Sequence, residues 1–167
     1  MGVDTIATES GITKRTLYDR FGSKDQLVAV YLQTRHQRWW ARMEQQLDQE
    51  PQAPVFALFD SYAGDSETTD RGCAFINAAA ELPVEHPAYR VIRAHKRAVL
   101  DRLVDLLAAS SSTSQGDIVA LAQEIYLLLE GAIAHRGIDG DDRLLTRARE
   151  ITARLIAVSS VEATAVS

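Results

Sequence analysis

Ile6-Ala7-Thr8-Glu9-Ser10-Gly11-Ile12-Thr13-Lys14-Arg15-Thr16-Leu17-Tyr18-Asp19-Arg20-Phe21-Gly22-Ser23-Lys24-Asp25-Gln26-Leu27 carries two short amphipathic segments parted by a glycine. Gly2 can open a first helix presenting Val3, Ile6 and Ala7, and Glu9-Ser10-Gly11 reads as a turn in which Gly11 is free to take positive φ. Thr13 is a good N-cap for a second helix through Tyr18. Ile6, Ala7, Ile12, Leu17 and Phe21 would then pack inward, leaving Lys14, Arg15, Thr16, Tyr18 and Arg20 facing out. Two such helices on a tight glycine turn form a helix-turn-helix, whose second helix has the size to enter a major groove. Gly22 breaks the chain again, and Ser23-Lys24-Asp25-Gln26 has the S-x-x-Q form of a capping box opening a long helix.

That third helix shows Leu27, Val30 and Tyr31 on one face and continues through Trp39, Trp40, Met43 and Leu47 until Pro51 and Pro54 stop it. Further helices are predicted near 55–63, 73–82, 87–109, 117–135 and 141–158, with Asp117 as the N-cap of the fourth of these. No sustained period-two alternation bounded by hairpin turns appears, so the fold class is all-α. The segment 117–135 is apolar over more than the single stripe a core contact needs, which implies a second buried surface. Paired with the last helix, it would form a four-helix interface between two copies through Ile118, Leu121, Ile125, Leu128, Leu129, Ile151 and Leu155. Burial of the same helix at the centre of one subunit is the alternative.

Charge divides the chain in the same way. Residues 1–42 hold seven bases and four acids, a balance of +3, whereas 43–167 hold eleven bases and nineteen acids, a balance of −8. A basic head of residues 1–42 on an acidic body of residues 43–167 suits a protein that touches phosphates with one end. The 46% apolar and 25% charged fractions are those of ordinary globular chains. The single cysteine, Cys73, allows no intramolecular disulfide and fits a reducing cytoplasm. The start lacks a basic region followed by an apolar run, and no apolar stretch is read as reaching the ~20 residues of a membrane span, so neither export nor insertion is expected.

The spacing of Ile6, Ala7, Gly11, Ile12, Thr13, Thr16, Leu17, Tyr18, Phe21, Ser23, Lys24 and Leu27 resembles the signature of the TetR family of transcriptional repressors. Gly72-Cys73-Ala74-Phe75-Ile76-Asn77-Ala78-Ala79-Ala80-Glu81-Leu82-Pro83 and the closing helix pair resemble that family's ligand-binding domain. The resemblance implies a homodimer that binds a pseudo-palindromic double-stranded operator and releases it when a small-molecule effector occupies the body. It assigns Tyr18 and Lys24 to phosphates, where a phenol and an ammonium at helix ends fit. Lys14, Arg15 and Thr16 are base-edge candidates, Arg15 with a bidentate geometry for guanine, and Arg20 completes the outward set. Effector-lining candidates are Trp40, Phe59, Phe75, Asn77, His95, Tyr126 and Glu130, large or polar residues on faces that otherwise read as buried. Family members place an arm and a further helix ahead of the helix-turn-helix, and Met1 stands where the second family helix should begin. Weakened DNA binding is therefore expected of a chain starting there. The alternative function is a helical dimer that binds ligand, or pairs with a full-length relative, without binding DNA itself.

Enzymatic patterns do not assemble. His36, His86, His95 and His135 lack HxxxH or HExxH spacing, and neither G-x-S-x-G nor a glycine-rich phosphate loop occurs. In Asp139-Gly140-Asp141-Asp142 the following Arg143 occupies a position where calcium needs a ligand, so the segment reads as a helix link whose acids favour the next N-terminus. No catalytic residue, metal site or cofactor is expected.

Overall fold

The computed structural model describes residues 13–49, 53–66, 72–110 and 114–165. They form seven helices, α1 (Lys14–Phe21), α2 (Lys24–Gln49), α3 (Pro54–Ser66), α4 (Ala74–Glu81), α5 (Ala88–Ser110), α6 (Gln115–Asp139) and α7 (Arg143–Ala165), and no strand among the described residues. The first predicted helix, with Ile6, Ala7 and the Gly11 turn, lies outside them.

Local chemistry sets the head's boundaries. Thr13 Oγ1 accepts the Thr16 N–H at 3.2 Å and so caps α1, which runs past the expected end at Tyr18 to Phe21. Gly22 then takes φ of 76°, a conformation that costs a glycine little, and Ser23 Oγ accepts the Gln26 N–H at 3.1 Å to start α2. The predicted apolar face of α2 needs correction. Val30 and Tyr31 are exposed, and the stripe turned to the core is Ala29, Leu32, Trp39, Met43 and Leu47. Ala29 lets α2 approach the body closely, and a stripe through 29 and 32 necessarily turns 30 and 31 outward. The expected boundary between residues 42 and 43 falls inside this continuous helix, whose buried side chains from Ala29 onward join one core with those of α3 to α7.

α6 is the spine of that core. Ile118, Ala122, Ile125, Leu129, Ala132 and Ile133 are buried between α5, which supplies Ile92, Val99, Leu103, Leu106 and Leu107, and α7, which supplies Leu145 and Ala148. The helix starts earlier than expected because its cap is Ser114, not Asp117. The Asp117 N–H donates to Ser114 Oγ at 3.4 Å, and that hydroxyl donates to Asp117 Oδ2 at 2.6 Å. Gly140, in the left-handed region at φ of 74°, ends it, and Asp141 Oδ1 accepts the Arg143 N–H at 3.0 Å ahead of α7. By length and composition α6 reaches membrane-span dimensions over Gly116–Asp139, contrary to the expectation that no stretch would. Its inner face is spent on α5 and α7, as in the core helix of a globular domain.

Polar ties lock the outer helices on. Arg149 reaches from α7 to Asp60 at 2.5 Å and lies 4.8 Å over the Phe56 ring of α3. Arg136 of α6 donates to the Ala63 carbonyl at 2.8 Å, and Arg102 of α5 pairs with Glu44 of α2 at 2.8 Å.

Gly72 brings the start of α4 against α6. Its φ is 67°, and a Cβ there would stand 2.8 Å from the Ile133 carbonyl oxygen and 3.3 Å from the Gly137 backbone. Gly72→Ala should therefore cost at least ~2 kcal/mol, left-handed strain plus a backbone clash. A urea-unfolding midpoint equal to that of the wild type would contradict this close approach.

Candidate functional site

The head presents one outward surface. Arg15, Thr16, Asp19 and Arg20 of α1 and Lys24 at the start of α2 are exposed. Arg15 Nε lies 3.8 Å from Asp19 Oδ2, one turn on, a solvent-screened pair that holds the guanidinium along the helix without consuming it. The Thr16 hydroxyl shares a 2.9 Å hydrogen bond with that of Thr13, so it is engaged in the cap. Lys14 and Tyr18 lie in α1 by their backbone, and their side chains fall outside what is described.

A second constellation lies inside the body, where four helices deliver polar groups to one place. Glu130 of α6 is its centre. Tyr62 of α3 donates to Glu130 Oε1 at 2.6 Å and Lys96 of α5 pairs with Oε2, while Tyr126 stands one turn earlier on α6, where the Glu130 charge acts on its phenol. Lys96 reaches Cys73 Sγ at 3.4 Å as well and lies 5.6 Å over the Tyr62 ring. Beside it the His95 ring is 2% exposed, stacked on Phe75 at 3.8 Å and met edge-on by Trp39 at 5.2 Å. His95 Nδ1 lies 2.9 Å from Nδ1 of His36, whose ring leans on Trp40 at 5.7 Å. A lysine and a histidine at adjacent positions of the α5 core stripe are thus both satisfied, one by a carboxylate and one by aromatic stacking and a second imidazole.

Of the expected effector-lining residues, His95, Phe75, Tyr126 and Glu130 belong to this constellation, and Trp40 joins through His36. Phe59 is 1% exposed in the core beside Phe56, and Asn77 is half-buried on α4. Tyr62, Cys73, Lys96 and His36 were not anticipated. The available signal was Lys96 lying between Ile92 and Val99 on a stripe that otherwise points to the core.

Burial governs the electrostatics. It pushes both Tyr62 and Tyr126 above the ordinary phenol range, with the Glu130 charge adding to the effect. Both hydroxyls therefore stay protonated as donors. Desolvation lowers His36, and it lowers His95 to about 3, with Lys96, His36 and Arg35 acting in the same direction. The His95 imidazole is neutral at neutral pH. The constellation is a set of polar donors and one ion pair within aromatic walls.

On the outside, α6 and α7 enclose an open groove of about 510 Å3 lined by Leu121, Glu124, Ile151, Arg154, Leu155 and Val158, among others. The expected interface set needs correction at three positions. Ile118, Ile125 and Leu129 are 4%, 0% and 1% exposed within the single chain, being spent on its own core. Leu121, Leu128, Ile151 and Leu155 keep accessible surface, and Leu127 and Ile138 on α6 are strongly exposed.

The histidines make stability depend on pH with a definite sign. Between the ordinary imidazole value near 6.5 and about 3, the unfolded chain binds a proton at position 95 that the folded chain refuses. Stability is thus full above that range and falls as pH drops from about 6.5, by up to ~1.4 kcal/mol per pH unit, with His36 adding in the same direction. Urea unfolding between about pH 7 and 5 should show this fall, and His95→Phe should flatten it. Parallel curves for wild type and variant would contradict the buried neutral imidazole.

Residues 51–152 match the family model described as tetracyclin repressor-like, C-terminal domain, and residues 1–31 match that of the bacterial regulatory proteins, tetR family. No curated protein matches the chain. Among solved structures, a TetR-family transcriptional regulator from Streptomyces coelicolor is 28% identical, with a TM-score of 0.83 over 96% of this chain and 85% of that one. A TetR transcriptional regulator from Legionella pneumophila shares the fold at 17% identity, with a TM-score of 0.75 over 92% of this chain and 85% of its own. A chain from Streptomyces avermitilis does so at 24% identity, with a TM-score of 0.75 over 95% and 87%. With both family models matched along a fold of this kind, the chain belongs to the TetR family of transcriptional regulators.

Proposed function

We propose that the protein is a homodimeric repressor, working in the cytoplasm, that grips a pseudo-palindromic operator through α1 of each copy and lets go when a small molecule enters the body at the Glu130 constellation. The observation carrying this reading is the exposure of Arg15 and Arg20 on α1 and of Lys24 at the start of α2, a helix that runs unbroken from there to the polar constellation of the body. Lys24 and Tyr18 serve as phosphate contacts that set register, and Lys14, Arg15, Thr16 and Arg20 are the groove-facing set. A neutral imidazole, two phenols and a lysine–glutamate pair suit an effector that combines a flat apolar body with a polar end. This is a binding role that involves no turnover.

The second copy seats on the α6 and α7 face. Leu127 is 71% exposed and Ile138 76%, and at a spacing of about three turns both lie on one line along α6. An apolar face of this kind is covered most simply by its own copy about a twofold axis.

Fluorescence anisotropy with a labelled random-sequence duplex at two salt concentrations tests the head. Lys24→Ala should weaken binding and reduce the salt slope by about 1, whereas Arg15→Ala should cost ~1–3 kcal/mol at one base pair of each half-site once a preferred sequence is used. Indifference to both changes would remove α1 as the DNA reader. Sedimentation tests the dimer. Leu127→Asp should give a folded monomer, because Leu127 contributes nothing to the subunit's own core. A wild-type chain that sediments as a monomer at micromolar concentration would overturn the dimer.

A further inference from the structure

Among the polar ties between α2 and the body described above and here, Glu44–Arg102, His36–His95, Gln46–Ser61 and Asp25–His86, the last lies at the head end. Asp25 stands in the first turn of α2, next to Lys24, and its Oδ1 is 3.3 Å from His86 Nε2. The two residues differ sharply in setting. The Asp25 side chain is 62% exposed, while that of His86 is 6% exposed, held in the turn between α4 and α5.

The ring of His86 is fixed by its surroundings. Its Nδ1 accepts the Ala88 N–H at 3.1 Å, so in the neutral ring the proton sits on Nε2, the nitrogen that faces Asp25. The His86 N–H donates to the Pro83 carbonyl at 2.9 Å, and its own carbonyl accepts the Tyr89 N–H at 2.9 Å. Tyr89 in turn donates its hydroxyl to the Ala79 carbonyl of α4 at 2.5 Å. A buried imidazole tied on its other side to the backbone, with Nε2 3.3 Å from an exposed carboxylate oxygen, is an anchor with one outward contact. Around this crossing Gln26, Ala29 and Val30 of α2 stand opposite Pro87, Arg90 and Val91, with Ala29 buried. An acid in the first turn of a helix has a dipole reason to be there, but that reason needs no partner and explains neither the buried ring nor its tautomer.

We infer that the Asp25–His86 contact is a clamp that fixes the angle of the DNA-reading head on the body, and so the spacing at which two heads meet two half-sites. The inference rests on the dimeric DNA-reading function proposed above. His86 and Asp25 are positioning residues, since neither is placed on the DNA. In a dimer an error of angle at each head matters only when both must engage together, so the clamp governs binding to a complete site and is silent on half of one.

The test uses the full chain and a duplex recovered by in vitro selection from a random pool, together with a shortened duplex carrying one half-site. The readout is the ratio of the two affinities, in which any general change in attraction for phosphate cancels. His86→Asn keeps an acceptor for the Ala88 N–H but has no donor that reaches Asp25. His86→Gln places an amide N–H where Nε2 stood. His86→Asn and Asp25→Ala should each lower the full-site to half-site ratio at least ~5-fold, within the usual range of coupling between sites, and the two together should do no more than either alone. His86→Gln should restore most of the ratio. Unchanged ratios in His86→Asn and Asp25→Ala would overturn the clamp, as would equal losses on both duplexes, which would mean that the contact only stabilises the head. Failure of the wild type to select any duplex would remove the DNA-reading function itself, and the clamp with it.

Discussion

A carboxylate withdrawn from water must be met by donors or by a cation, and Glu130 is met by both. Tyr62 of α3 and Lys96 of α5 converge on it from the helices beside α6, so one charge fixes three helices relative to one another. Burying an ion pair contributes little net stability, because desolvation of both charges offsets their attraction, and a pair of apolar residues of the same volume would serve the core as well or better. The proposed effector role would give the pair a reason to stand at the centre of an otherwise aliphatic and aromatic body. Cys73 and the stacked His95 extend the same polar island toward α4 and, through His36, toward α2.

The mechanical layout follows from helix continuity. α2 carries the head at its first turn and packs on the body along the rest of its length, while α5 carries Lys96 and His95 and is preceded by the turn that holds His86. From Ala88 to Lys96 the rise of a helix is roughly 12 Å. In the proposed mechanism a displacement at the polar island would be passed along α5 as a rigid body to the point where the body meets the head. The His36–His95 bond offers a second, lateral route into α2. Both routes use discrete polar contacts that can be made or broken, as two-state coupling requires.

What was legible in the sequence was what is local. Caps at Thr13 and Ser23 and the break at Gly22 follow from side chains acting within three residues of themselves, and the helical periods of 55–63, 73–82 and 87–109 predicted elements that exist. The cap misread at Asp117 failed for a local reason too, since Ser114 and Asp117 bond to each other and either is a plausible cap. The division of α6 between its own core and a partner was not legible. An apolar helix has no internal mark of which side meets which neighbour, and Ile118, Ile125 and Leu129 went inward because α5 and α7 are there to receive them. The same limit hid Lys96 and Tyr62. Their partner Glu130 stands 34 and 68 residues away, a pairing that exists only once α3, α5 and α6 have packed.

Selection of duplexes from a random-sequence pool by the whole chain tests the account most directly. A dimer with one reading helix per copy should recover a pseudo-palindrome whose half-site centres lie about one helical turn, or a multiple of it, apart. Enrichment of a single unrepeated element, or no enrichment at all, would contradict the claim that two α1 helices, held at a set spacing by their bodies, read DNA together.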